Sequence, residues 1–261
     1  MATYLDRILE AHRAAAAADD RSLDALVAQA SGQPPTRGFA AALAASAAGG
    51  VAVIAEIKRR SPSKGDLAVG LDPAELAAAY TAGGAACLSV LTDVEFFGGS
   101  PADLAAARAA CPLPVLRKDF TVSANDVADA RLMGADAVLL IAAALDDVEL
   151  ADFLALATDL GLDALVEIHD EVELDRAVAA GADLIGVNQR DLVTFEVDTA
   201  RAVRMAPQMP AGVIRVAESG VASPDDARRL AAAGYHAVLV GELLVTSGDP
   251  QAAVAALRSP T

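Results

Sequence analysis

Apolar residues along the chain gather into eight nearly continuous runs: 51–58, 87–93, 114–120, 137–143, 164–170, 184–190, 213–220 and 237–245. Runs that do not alternate with polar residues mark strands buried on both faces, as in a parallel sheet. Four segments share one order of features: AGGAACLSVLTD (82–93), MGADAVLLIAAA (133–144), AGADLIGVNQRD (180–191) and AGYHAVLVGELL (233–244). Each reads as a helix end, a glycine stop, a short polar link and a strand, and such recurrence predicts a repeating βα architecture.

Helix starts follow nearly every run. Asp72-Pro73, Ser100-Pro101, Ser223-Pro224 and Asp249-Pro250 place a capping side chain before a first-turn proline, and Ser123, Asp146 and Asp170 are the expected caps elsewhere. Asp103 and Asp226 add negative charge to first turns, where the helix dipole favours it. Eight βα units predict an α/β fold, a single (β/α)8 TIM barrel over 51–261. An open doubly wound sheet is the alternative, but nothing resembles the G-x-G-x-x-G fingerprint of a dinucleotide half. Residues 1–50 are expected to form an N-terminal helical extension packed on the barrel. It would have helices near Tyr4–Ala18 and 39–48, separated by SGQPPTRG. It could cover the bottom or rim of the barrel, or act as a lid; the sequence leaves both open.

Composition narrows the function. With 54% hydrophobic residues the chain is not disordered, and a net charge of −16 repels phosphate backbones and anionic lipid. Nucleic-acid and membrane partners are therefore not expected. The N-terminal MATYLDRILEAHR lacks an apolar signal core, and the uncharged run 38–55 is broken by Gly49-Gly50, so a cytoplasmic location is expected. Cys87 and Cys111 form no framework and read as buried structural thiols in a reducing compartment. The favoured oligomeric state is a monomer.

The candidate chemistry lies in polar residues late in strands, which in a barrel point at the C-terminal rim. The first run carries Glu56 and Lys58, two apart and so on one face; the third carries Lys118, the fifth Glu167, the sixth Asn188 and Arg190, the seventh Glu218 and Ser219. Burying such groups is costly unless they are paired, which implies a use. Only three of the 20 basic residues are lysine: Lys58, Lys64 and Lys118. Arginine cannot give up its proton and lysine can, so a chain that uses arginine almost everywhere singles out Lys58 and Lys118. Lys64 reads equally as solvated or ligand-capping. Ser219-Gly220, the helix start at Ser223-Pro224, Gly241 and Ser61 suggest a phosphate site on backbone N–H groups. Phe96, Phe97 and Phe120 follow the second and third runs and read as an aromatic stack or as rim packing. His12, His169 and His236 read as ordinary. No zinc spacing, nucleophile elbow or P-loop is present, and no metal is expected.

AEIKRRSPSKGDL (55–67) strongly resembles the signature of the indole-3-glycerol-phosphate synthase family. LTDVEFFGGSPADL (91–104), PVLRKDF (114–120), ALVEIHD (164–170), IGVNQRDL (185–192), VAESGV (216–221) and VLVGELLV (238–245) resemble its further segments, in order. The resemblance implies a barrel enzyme of tryptophan biosynthesis. It would convert 1-(2-carboxyphenylamino)-1-deoxyribulose 5-phosphate, a phosphosugar-anthranilate substrate, to indole-3-glycerol phosphate with loss of CO2 and water, using no cofactor or metal. It implies Lys118 as general acid, and Lys58 with Glu56 facing the substrate carboxylate. Glu167 would be the partner acid/base, and Asn188 and Glu218 would orient sugar hydroxyls and lysines. Ser61, Ser219, Gly220 and Gly241 would hold phosphate, Arg190 would brace the mouth, and Pro62, Phe97, Phe120 and Leu139 would line the anthranilate pocket. Gln189 and Glu242 depart from the family's pattern beside the phosphate residues. Competing readings are another phosphosugar barrel enzyme, either an isomerase or a Schiff-base aldolase using Lys118 or Lys58, and a phosphosugar-binding module without activity.

Overall fold

The computed structural model describes residues 3–258; the outermost ends of the two expected segments, residues 1–2 and 259–261, lie outside the described residues. Eight parallel strands close into a barrel: β1 (Ala52–Ile57), β2 (Cys87–Leu91), β3 (Val115–Lys118), β4 (Ala137–Ile141), β5 (Asp163–Ile168), β6 (Leu184–Asn188), β7 (Ile214–Glu218) and β8 (Ala237–Val240). Each pairs with its neighbours in sequence. β8 closes on β1 with Ala237 opposite Ala52, so the open doubly wound alternative is excluded.

Two cores explain the continuous apolar runs. Inward positions such as Ile54, Cys87, Leu116, Leu139, Leu165 and Val216 fill the barrel. Outward positions such as Val53, Leu88, Val138, Val166 and Val238 pack beneath the surrounding helices. The expected caps are in place. Ser100 accepts from the Asp103 N–H at 3.2 Å and Ser223 from that of Asp226 at 3.3 Å, heading α5 (Pro101–Ala110) and, after the short α9 (Arg201–Met205), α10 (Pro224–Ala232). Asp72 heads α4 (Pro73–Ala82), Ser123 α6 (Ala124–Leu132), Asp146 α7 (Asp147–Asp159) and Asp170 α8 (Glu171–Ala179); Asp249 accepts from Ala252 within α12 (Pro250–Arg258). Cys87 and Cys111 are buried and free.

The strands are shorter than the apolar runs. The largest difference is the last, 237–245. Gly241 turns the chain out of the sheet, and Glu242–Val245 form a short helix, α11. An apolar run alone does not separate a strand from the helix turn that follows it.

The N-terminal segment runs from one end of the barrel to the other. α1 (Tyr4–Ala18) lies across the C-terminal mouth. Tyr4 packs edge-on against Phe96 and Phe195, Arg13 reaches Glu149 at 2.8 Å, and Ile8 joins the inner core. α2 (Leu23–Ser31), an element the hydrophobic pattern did not single out, packs on α6. α3 (Phe39–Ala47) plugs the opposite end, with Phe39 and Leu43 fully buried. Asp136 accepts from the Arg37 N–H at 2.7 Å and Asp163 from that of Ala40 at 2.9 Å, pinning α3 to the starts of β4 and β5. α3 therefore covers the bottom of the barrel and α1 packs on the rim of its mouth.

His12 fixes α1 in place. Its Nε2 lies 3.0 Å from Asp93 Oδ2 and 3.9 Å from Asp119 Oδ1, and its ring packs on Phe120. Burial opposes a charge on His12, but the hydrogen bond to Asp93 and the fields of Asp119 and Asp126 outweigh it and raise its pKa. A histidine pKa raised in the folded state gives stability that is complete below the unfolded value and is lost as pH rises through the folded one. His12→Ala is expected to lower the melting temperature by a few degrees, about 2 kcal/mol, near pH 6, and by much less near pH 9. Equal losses at both pH values, measured by thermal unfolding, would show that ring packing rather than charge holds α1.

Candidate active site

Alternate residues of a barrel strand face the axis, and the last of them looks into the C-terminal mouth. β1 places Glu56 there and the chain continues to Lys58 on the same face; β3 ends in Lys118, β5 carries Glu167, and β6 and β7 end in Asn188 and Glu218. All six line one cavity of about 960 Å³. Its wall also holds Ser61 and Pro62 from the loop after β1, Phe97 after β2, Phe120 after β3, and Leu139 of β4. Arg190 follows β6, Ser219 and Gly220 follow β7, and Gly241 follows β8 on the same wall.

The charged groups meet in pairs. Lys118 Nζ donates to Glu167 Oε2 at 2.9 Å and lies 3.7 Å from Glu218 Oε2. Lys58 forms an ion pair with Glu56. Asn188 Nδ2 donates to the other Glu167 oxygen at 3.0 Å. Burial opposes the charge on Lys118, but Glu167, Glu218 and Glu56 prevail and hold its pKa above the ordinary lysine value, so the ammonium is protonated at rest. Burial also opposes ionisation of Glu167, yet Lys118 and His169 hold its carboxyl below the usual range. Glu218 goes the other way: burial and the neighbouring Glu167 raise it, only partly offset by Lys118. One carboxylate is thus kept ionised and a second is pushed toward its neutral form, the division of labour that acid/base chemistry requires.

A model of the family described as "Indole-3-glycerol phosphate synthase" matches residues 5–257. The chain belongs to the indole-3-glycerol phosphate synthase family. Relatives that carry the family's name include proteins from Mycolicibacterium vanbaalenii, 54% identical over 98% of this chain and 94% of that one, and from Nocardioides sp., 58% identical over 79% and 80%. One from Streptomyces coelicolor, named as indole-3-glycerol phosphate synthase 2, is 56% identical over 83% of each chain. Among solved structures, a 3-hexulose-6-phosphate synthase superposes with a TM-score of 0.61 at 19% identity over 80% of this chain and 98% of its own, which shows the shared fold alone.

Within this family member, several wall residues lie outside the strand-end pattern. Leu192, Thr194, Phe195, Val197 and Thr199 come from the loop after β6, which Arg190 holds through a bond from its guanidinium to the Phe195 carbonyl at 3.1 Å. Loop residues carry no strand or helix period, so periodicity could not reveal them. Lys64 also lines the cavity, 3.7 Å from Glu242. Ser219 has φ 63°, a left-handed conformation uncommon for a residue with a side chain. Its carbonyl accepts from Gln189 Nε2 at 2.7 Å. Such strain concentrates at functional sites.

Two glycines make room for the carboxylates. A Cβ at Gly186 would run into Glu218 Oε1, and one at Gly241 into Glu56 Oε1, with Lys58 Nζ 3.1 Å away. Gly241 therefore has a packing reason to be glycine, independent of any phosphate. Gly186→Ala is expected to cost about 1 to 3 kcal/mol of stability through overpacking. It should also lower turnover at least about tenfold by displacing Glu218. Full turnover in a folded Gly186→Ala protein would show that the position of Glu218 does not matter.

Proposed function

We propose that this cavity carries out the ring closure, decarboxylation and dehydration of 1-(2-carboxyphenylamino)-1-deoxyribulose 5-phosphate to indole-3-glycerol phosphate. Membership of the family makes the protein a decarboxylating, ring-closing lyase; the assignment of roles to residues is our reading. The observation that carries it is the buried Lys118–Glu167 pair at 2.9 Å, facing a cavity whose opposite wall holds the Glu56–Lys58 pair.

Ring closure puts negative charge on the ribulose carbonyl oxygen as the arene carbon attacks. Lys118, held protonated, is the acid that meets it. Lys58, oriented by Glu56, faces the substrate carboxylate and takes part in the later proton steps. Glu167 is the partner acid/base that assists loss of the hydroxyl. Asn188 and Glu218 orient the sugar hydroxyls and the lysines. Ser61 and the backbone around Ser219, Gly220 and Gly241 hold the phosphate, and Phe97, Phe120, Pro62 and Leu139 receive the anthranilate ring. Arg190 braces the mouth through the loop that it holds.

Formation of indoleglycerol phosphate by the purified chain, followed by its fluorescence, tests the reaction. Lys118→Ala is expected to cut turnover by about 100-fold or more, the usual contribution of one general acid; near-normal turnover would refute its role. Lys58→Arg is expected to fail as well, because a guanidinium keeps the charge but cannot pass the proton. Borohydride with substrate should trap no adduct on either lysine, which separates this reaction from Schiff-base chemistry.

A further inference from the structure

Proton balance sets a requirement on the site. The substrate carboxyl enters ionised and departs as neutral CO2, and the electron pair it leaves restores the aromatic ring. The carbonyl oxygen departs as water after taking up two protons. One is matched by the proton lost from the methylene carbon beside the nitrogen as the new double bond forms. Each turnover therefore takes one proton from solvent, and it must reach a lysine and a carboxylate that lie beneath the bound substrate.

We propose that His169 and Glu173 deliver this proton to Glu167, and through it to Lys118. The proposal rests on the reaction assigned above. Glu167 turns one oxygen to Lys118 and the other, Oε1, away from it; His169 Nε2 lies 3.7 Å from that second oxygen. Nε2 is buried and has no hydrogen-bond partner among the described residues. Such an atom is costly to leave unpaired, so its place opposite Glu167 calls for a use. On the far side of the ring, Nδ1 lies 3.1 Å from Glu173 Oε2, which also accepts from the His169 N–H at 2.7 Å. Glu173 stands on the first turn of α8, and its side chain is 15% exposed. Glu173, His169, Glu167 and Lys118 thus form one chain that ends at the cavity, with Glu173 holding the imidazolium and Nε2 facing Glu167. His169 does not line the cavity. It is a positioning residue that acts through Glu167.

In this relay the imidazolium gives its Nε2 proton to the ionised Glu167, which passes it to the Lys118 amine left after ring closure; the ring keeps its Nδ1 proton against Glu173, and Nε2 is reprotonated through Glu167 from solvent in the cavity once the product has left. The charged groups facing the ring are Glu167 near the end of β5, Glu173 on α8 and Arg201 on the segment after β6. Burial opposes the imidazolium and Arg201 repels it, but the two carboxylates prevail and raise its pKa, which keeps the donor form available near neutrality.

Wild type, His169→Ala and Glu173→Gln are compared for kcat and KM across pH, with and without added imidazole. His169→Ala is expected to lose about tenfold or more of kcat at unchanged KM, and imidazole to restore part of that loss in proportion to its cation. Glu173→Gln removes a carboxylate that holds the imidazolium, so the alkaline limb of kcat is expected to move to lower pH. The relay requires both results. Unchanged kcat in His169→Ala, a loss that imidazole does not relieve, or an unmoved limb in Glu173→Gln overturns it while leaving the reaction standing. If His169→Ala does not fold, the limb of Glu173→Gln decides alone. A wild-type chain that makes no indoleglycerol phosphate overturns the reaction and the relay together.

Discussion

A barrel interior cannot hold an unbalanced charge, and the rest of the site depends on how this one balances its charges. Lys118, Glu167 and Glu218 converge where apolar layers of Leu139, Leu165 and Leu239 leave little water to screen them. Removing one partner of such a set leaves the other buried alone, at a cost of several kcal/mol. The same balance prepares the chemistry. Three nearby carboxylates keep Lys118 charged, Lys118 keeps Glu167 ionised, and the repulsion left over falls on Glu218, which moves toward its neutral form. Stability and reactivity here are two readings of one electrostatic arrangement.

The N-terminal segment ties the two ends of that barrel together. At the bottom, Asp136 and Asp163 take backbone N–H groups of the α3 region as partners and tie it to the strand starts. At the top, α1 reaches the loops after β2, β3, β4 and β6 through Asp93, Asp119, Ala144 and Phe195. The loops after β2, β3 and β6 line the cavity. A change in how α1 sits is therefore communicated to the ligand's surroundings through side-chain contacts one step away, whereas a change at α3 is felt first as loss of core.

Much of this was legible in the sequence. The eight runs identify the strands because a parallel barrel buries both faces, and the caps identify the helices because Ser or Asp before Pro has a local purpose. The strand-end residues all reach the cavity because the two-residue period of a strand fixes which way Glu56, Lys118, Glu167 and Glu218 point once the barrel closes. What was not legible depends on distant partners. Leu23–Ser31 does carry Ser22 as a cap and apolar residues at helical spacing, but it is short, and its place is fixed only by packing on α6. The length of β8 is hidden because Leu243, Leu244 and Val245 continue the apolar run past Gly241. His12 looks like any helix-surface histidine until Asp93 and Asp119, far along the chain, arrive beside it. His169 and Glu173 are four apart, a spacing visible beforehand, but the open nitrogen toward Glu167 is a fact of three dimensions.

The scarcity of lysine finds its explanation on β3, where Arg117 and Lys118 stand side by side. The pleat sends them to opposite faces. Arg117 is turned outward, and its guanidinium donates to the Asp126 carbonyl at 2.8 Å, to Asp119 at 3.2 Å and to Thr92 at 3.3 Å. Five fixed donors suit that task, and a permanent charge is an advantage in it. Lys118 is turned inward to Glu167 and Glu218, where a compact ammonium fits and where its proton can leave. Exchanging the two would put a wide, non-transferable cation into the cavity and leave the outer carboxylate and carbonyl short of donors. All three lysines of the chain line the cavity, so the sorting seen on β3 extends to the whole molecule. Arginine serves where a cation must hold structure, and every lysine lines the cavity for which the proton transfers are proposed.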